Sequence, residues 1–171
     1  MSLDKIHSVI EEMFIQRGYS ILEDNEHEDT LIVGIKEDDT KICAFKEIIP
    51  KFGVKNFNSC VGFLESIDIK HGVIIYNEIT PVANNLLATI ATLNVYLETF
   101  QDTELTFNPT KHRLVPQHIK VGDEDKKSLK ESKNFPIIKS TDPIAKFLDF
   151  RKGDIVKIIR HSGFVTYRKV A

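Results

Sequence analysis

Apolar residues recur at helical spacing at the start of the chain. Leu3, Ile6, Ile10, Met13 and Phe14 share one face, and Gly18 stands where a C-terminal cap belongs. Tyr19-Ser20-Ile21-Leu22 reads as a short strand and Glu23 to Asp29 as an acidic loop. Leu31 to Ile35 and Lys41 to Phe45 predict two strands joined by a turn at Glu37-Asp38-Asp39-Thr40. Ile48 to Val54 has no clear period, with Pro50 and Gly53 interrupting it. Asn58 is placed to cap a helix carrying Val61, Leu64 and Ile67, which Gly62 weakens. Gly72 opens a strand, Val73-Ile74-Ile75-Tyr76, ending in Asn77, and Thr80-Pro81 starts a helix bearing Leu86, Leu87 and Ile90. Val95 to Phe100 and Glu104 to Phe107 pattern as paired strands.

Asn108-Pro109-Thr110 marks a boundary. Beyond it, Lys111 to His118 is expected to be extended, interrupted by Pro116, and Val121 to Lys133 to form a short polar helix with Leu129 as its clearest apolar contact. The pattern from Asp142 is sharper. An Asp at the N-cap accepts from an orphan backbone N–H, and Pro143 at the first helical position has no N–H to waste. Ile144, Phe147 and Leu148 then share one helical face. A glycine turn, Asp149 to Asp154, leads to a β-branched strand, Ile155 to Arg160. His161-Ser162-Gly163 suits a three-residue hairpin loop, with Phe164 to Arg168 returning. Strands alternating with helices give an α/β (α+β) fold class, divided into domains 1–108 and 109–171.

Charge sharpens that division. The net charge of −2 hides 8 Lys/Arg against 18 Asp/Glu in residues 1–108, a net of −10, and 15 against 7 in residues 109–171, a net of +8. Such a split suggests different partners for the two halves. A basic half suits nucleic acid or an acidic protein surface, although a solvated lysine-rich face accounts for the charge alone. With 42% hydrophobic and 28% charged residues the chain has ordinary globular composition, no membrane-length apolar run and no signal-peptide pattern, so it is expected to be soluble and intracellular. Cys43 and Cys60 are expected to be buried free thiols.

Familiar catalytic patterns are missing from the sequence. There is no Walker loop, dinucleotide fingerprint or Gly-x-Ser-x-Gly elbow, and the six histidines lack zinc spacing. A helix followed by a β-hairpin also opens nucleases of the restriction-endonuclease fold, which hold metal with an Asp and the acid of an acid-x-Lys triplet. Here that triplet is Ala44-Phe45-Lys46, whose acid position is an alanine; Lys46 alone cannot hold a metal, so a nuclease is not expected, and a core alanine before an exposed lysine explains the same residues. No catalytic, metal or cofactor-binding residue is therefore assigned.

A series of motifs in the second half resembles the small fifth subunit shared by the three eukaryotic nuclear RNA polymerases, together with its archaeal counterpart. They are His112-Arg113-Leu114-Val115-Pro116-Gln117-His118, Phe135-Pro136-Ile137-Ile138, Ser140-Thr141-Asp142-Pro143-Ile144-Ala145, Arg151-Lys152-Gly153, Ile155 to Arg160 and Tyr167-Arg168. Looser matches lie in the first half: Arg17-Gly18-Tyr19, Gly72 to Tyr76 followed by Ile79-Thr80-Pro81-Val82-Ala83, and Glu98-Thr99-Phe100-Gln101. Departures are a shorter first domain, a shortened helix after His118, a trimmed final hairpin loop and Val82 where the family has serine.

The resemblance implies a non-catalytic polymerase subunit. Residues 1–108 would be a jaw beside incoming downstream DNA, and residues 109–171 an assembly domain docked on the largest subunit. It makes Thr80, Pro81, Val82 and Ala83 the DNA-proximal set, where Thr80-Pro81 read by itself is a helix start. For the interface it points to Asp142, Pro143, Arg151, Gly153, Lys157, Arg160, Tyr167 and Arg168; Tyr167 and Asp142 also read as internal supports of the domain, the favoured reading for Asp142. Expected partners are the largest and other polymerase subunits, with downstream duplex only inside the assembled enzyme, and no membrane, small-molecule substrate or cofactor. The location would be the nucleus for a cellular source, or a virion or cytoplasmic viral factory for a large DNA virus, which the trimmed loops favour. A free-standing adaptor that kept the fold is the alternative, and a degenerate nuclease comes after it.

Overall fold

The computed structural model describes residues 3–22, 30–89, 95–129 and 134–171. The acidic stretch 23–29, Ile90 and the end of the polar segment at 130–133 lie outside the described residues. No helix among the described residues is long and apolar enough to cross a membrane. The chain forms two compact units, Met1–Phe107 and Asn108–Ala171.

The first unit is built on a five-stranded mixed sheet. Its elements are α1 (Leu3–Gln16), β1 (Ser20–Ile21), β2 (Thr30–Ile35), β3 (Lys41–Phe52), α2 (Val54–Ser66), β4 (His71–Ile79), α3 (Pro81–Thr89) and β5 (Tyr96–Gln101). The strand order is β1-β2-β3-β4-β5, antiparallel as far as β3 and parallel from β3 to β5. The parallel pairs need crossovers, and α2 and α3 supply them. Helix α1 buries Ile6, Val9, Ile10, Met13 and Phe14, the period foreseen in the sequence, and Gly18 ends it at φ +83°. Phe14 reaches the side of the sheet on which Gly34 and Ile42 lie. The opposite side, carrying Val33, Cys43, Phe45, Ile74 and Leu97, packs on Phe57, Cys60 and Leu64 of α2 and on Ala83 of α3. At Gly72 that packing is so close that a Cβ would lie 2.7 Å from Leu64 Cδ1.

Three expectations need correction here. Strand β3 does not stop at Phe45 but continues through Pro50 to Phe52. Its pairing with β2 ends at Phe45 while β4 pairs on to Phe52, so Pro50 sits where only one edge is bonded by a described strand, a place a residue without N–H tolerates. Helix α2 starts four residues before Asn58. Its cap is Gly53, whose N–H donates to Asn56 Oδ1 at 3.0 Å. The stretch after β5 is not a partner strand. Asp102–Leu105 is a 3-10 turn, because Glu104 Oε2 folds back to accept the Gln101 N–H at 2.7 Å, and β5 pairs with β4 instead.

The second unit holds β6 (Gln117–Lys120), α4 (Asp123–Ser128), β7 (Ile137–Ile138), α5 (Pro143–Phe147), β8 (Ile155–Ile159) and β9 (Val165–Val170). The hairpin β8–β9 forms as foreseen, with Gly163 at φ +83° in its loop. It is the centre of a four-stranded sheet of order β6-β8-β9-β7. Strand β6 was foreseen only as extended chain, and the segment before it is a 3-10 turn, Pro109–Lys111, followed by a tight turn in which the Val115 N–H bonds His112 O. Residue Val121 is not helical; its buried side chain and its N–H, bonded to Ile155 O, belong to the sheet. One sheet face buries Ile138, Val156, Ile158 and Val170 against Ala145 and Phe150.

Candidate functional site

The pairing register of the second unit sorts its side chains. Val156 lies opposite Arg168 and Ile158 opposite Thr166, so these positions belong to the core-facing side. Lys157 lies opposite Tyr167 and Ile119, and Ile159 opposite Val165 and Gln117, so these share the outer face. Ile137, opposite Lys169, extends that face across β7. On this face Ile119, Val165 and Ile137 remain 39%, 38% and 62% exposed, set around Lys157, Tyr167 and Lys169. A cleft of about 350 Å³ opens beside it, lined by Ile119, Lys120, Val121, Asp125, Leu129, Lys157 and Tyr167. The Tyr167 ring is fixed by stacking on Phe135, centroids 5.5 Å apart at 19°.

The eight interface residues expected from the sequence are therefore not one patch. Lys157 and Tyr167 are neighbours on the outer face, whereas Arg160 is exposed at the hairpin tip. Arg151 and exposed Gly153, at φ +95°, lie in the turn at the other end of the hairpin. There the Arg151 guanidinium pairs with Asp149 at 2.8 Å, and the Arg151 backbone N–H donates to Asp154 Oδ2 at 2.8 Å. Asp154 also receives Lys120 Nζ at 2.8 Å. Burial by itself would raise the Asp154 carboxyl, but Lys120 and the Arg151 N–H hold it below its ordinary value. Asp142 caps α5, accepting from the Ile144 N–H at 2.9 Å and the Ala145 N–H at 3.4 Å, with Pro143 exposed beside it. Arg168 turns to the edge, where Nη1 donates to Ile137 O at 3.3 Å.

In the first unit Thr80 caps α3. Its Oγ1 accepts from the Ala83 N–H at 3.3 Å and its own N–H donates to Phe52 O at 2.9 Å. Ala83 is fully buried and Thr80 half-buried, so Pro81 and Val82, the latter 59% exposed, are the exposed members of that set. Ala44 is likewise in the core and Lys46 is exposed, leaving nothing at the acid position of a metal-binding triplet. Burial pushes the Cys43 and Cys60 thiols up to about 12, which removes them as nucleophiles.

A buried ion cluster was not foreseen. Arg17 grips Glu98 through two bonds of 2.7 and 2.9 Å, and His71 Nε2 meets the same carboxylate at 2.5 Å. Burial favours the neutral carboxyl, yet the Arg17 guanidinium, with hydrogen bonds from both partners, holds Glu98 down at about 2. Both residues lie in motifs singled out in the sequence, but nothing linear pairs positions 81 apart. The cluster ties the end of α1 to β4 and β5. With both carboxylate oxygens bonded by Arg17, it is a clamp rather than a metal site.

Comparison with known proteins gives these elements a family. A model described as RNA polymerase Rpb5, C-terminal domain, matches residues 107–170. The chain is similar to the DNA-directed RNA polymerases I, II, and III subunit rpabc1 of Dictyostelium discoideum, 34% identical over 148 residues, covering 78% of this chain and 75% of the relative. The chain belongs to the RNA polymerase Rpb5 family. The Caenorhabditis elegans subunit RPABC1 is 33% identical over 131 residues, 70% of this chain and 61% of the relative, so the match spans less than two thirds of that protein. These relatives are cellular and lend no support to a viral source. A solved ATP-dependent Type ISP restriction-modification enzyme, LlaBIII bound to DNA, aligns with 79% of the Rpb5-family chain and 10% of its own, at 15% identity and a TM-score of 0.44. That likeness is too loose to bear on chemistry.

Proposed function

We propose that this chain is a non-catalytic subunit of a multisubunit DNA-directed RNA polymerase that docks on the largest subunit through residues 109–171 and holds residues 1–108 as a jaw near downstream DNA. The observation that supports this most is the 34% identity to a shared polymerase subunit along three quarters of that protein. The outer sheet face gives the docking a physical basis. It offers the exposed apolar residues Ile119, Ile137 and Val165 beside Lys157 and a ring-stacked Tyr167, the mix of apolar area and anchored aromatic that interfaces favour. In the jaw, the surface residues Pro81 and Val82 at the start of α3 are the DNA-proximal candidates, with Thr80 holding the helix end. In a cellular source the place of action is the nucleus.

Arg160 provides the test. It is exposed at the hairpin tip, away from the core of its unit, so Arg160→Glu should leave the melting temperature unchanged while abolishing recovery of the large polymerase subunits with the tagged chain. Normal incorporation of that variant would contradict docking through the hairpin tip.

A further inference from the structure

The hairpin tip offers a surface besides the outer sheet face. The His161 ring Nε2 bonds Arg113 O at 2.9 Å, so the turn before β6 and the β8–β9 loop are held together at one end of the sheet. Leu114 is 72% exposed and Phe164 63% exposed on these two loops, with Arg113 and Arg160 exposed beside them. The charge around them is one-sided. The turn at 112–116 and the loop at 160–164 carry Arg113 and Arg160 and no Asp or Glu. At the opposite end of the sheet the cations Lys120, Lys126 and Arg151 are each matched by Asp154, Asp123 or Asp149. The unit thus pairs Lys120, Lys126 and Arg151 with acids at one end and keeps two exposed arginines without neighbouring acids in their own segments at the other. Its most exposed apolar side chains also stand there.

We infer that the tip formed by Arg113-Leu114 and Arg160 to Phe164 receives an acidic protein segment with apolar side chains. The acids meet Arg113 and Arg160, and the apolar residues cover Leu114 and Phe164. This rests on the docking reading and adds to it the turn before β6 and the chemistry of what is bound. Electrostatic matching of this kind selects a partner and fixes its register. Nucleic acid fits less well: an exposed leucine gains nothing from a phosphate backbone, and two arginines neutralise too few phosphates for useful affinity.

The test places a photo-crosslinking phenylalanine analogue at Leu114 or Phe164 of the tagged full chain, expressed in its source, and sequences the attached peptide. The expected peptide comes from a co-purifying polymerase subunit and combines clustered Asp or Glu with apolar residues. In parallel, Arg113→Glu and Leu114→Ser should each lower recovery of the large subunits, the charge reversal by about tenfold or more, with melting temperatures unchanged. Crosslinks to nucleic acid or to a segment without acids would overturn the inference. So would full recovery of both variants when Arg160→Glu fails to assemble, which leaves the docking reading standing. If the unmodified chain recovers no polymerase subunit, the docking reading falls, and the crosslinked peptide still decides: an acidic, apolar segment of another protein keeps the tip contact, and no defined peptide removes it.

Discussion

Glu98 shows how a single side chain organises the first unit. Its carboxylate is buried, and it is charged only because Arg17 and His71 surround it. Removing the charge takes away the bidentate carboxylate that the buried Arg17 guanidinium grips, so Glu98→Gln should cost about 3–5 kcal/mol in urea unfolding. The same group sets an acid limit. Its folded pKa, about 2, lies below its ordinary 4.5, so the stabilisation is complete above pH 4.5 and drains away as pH falls from there toward 2. Unfolding free energies across that range check the sign; Glu98→Gln should flatten this part of the profile. Thr166 is a contrary case. Its hydroxyl is buried on the core-facing side without a hydrogen-bond partner. Thr166→Val keeps the shape and removes the unmet group, so the melting temperature should rise, by about 1–3 kcal/mol of added stability if nothing else moves. A destabilised variant would show that the hydroxyl has found water.

At the scale of elements, what could be read ahead of the structure was what is local. The period of α1, the Asp142-Pro143 start of α5 and the Gly163 loop were all legible because cap, period and turn act within a few residues. The misreadings came where a distant neighbour decides. Pro50 remains in β3 because of how β2 and β4 pair with it, and Glu104 closes a turn rather than extending a strand. Candidate-site residues behaved likewise: the hairpin itself was foreseen, but not that its register puts Lys157 and Tyr167 on one face and Arg168 on the other. Asp142 belongs to this scale. It satisfies two N–H groups at the start of a five-residue helix, so Asp142→Ala should destabilise the second unit by about 0.5–2 kcal/mol. A purely interfacial Asp142 would leave the melting temperature of the isolated chain unmoved.

For the whole molecule, charge and composition limit what the chain does alone. Residues 1–108 carry a net of −10, and affinity for duplex DNA comes largely from neutralised phosphates. The isolated chain should therefore give no detectable anisotropy change with labelled duplex at physiological salt, any approach of α3 to DNA depending on the assembled enzyme. A tight, salt-sensitive complex would show that the jaw binds by itself. Association with the polymerase is the most direct consequence of a subunit role. The tagged chain, purified gently from its native source, should bring both large polymerase subunits in stoichiometric amounts. A clean preparation without them would contradict the subunit reading and leave a free-standing adaptor with the same fold.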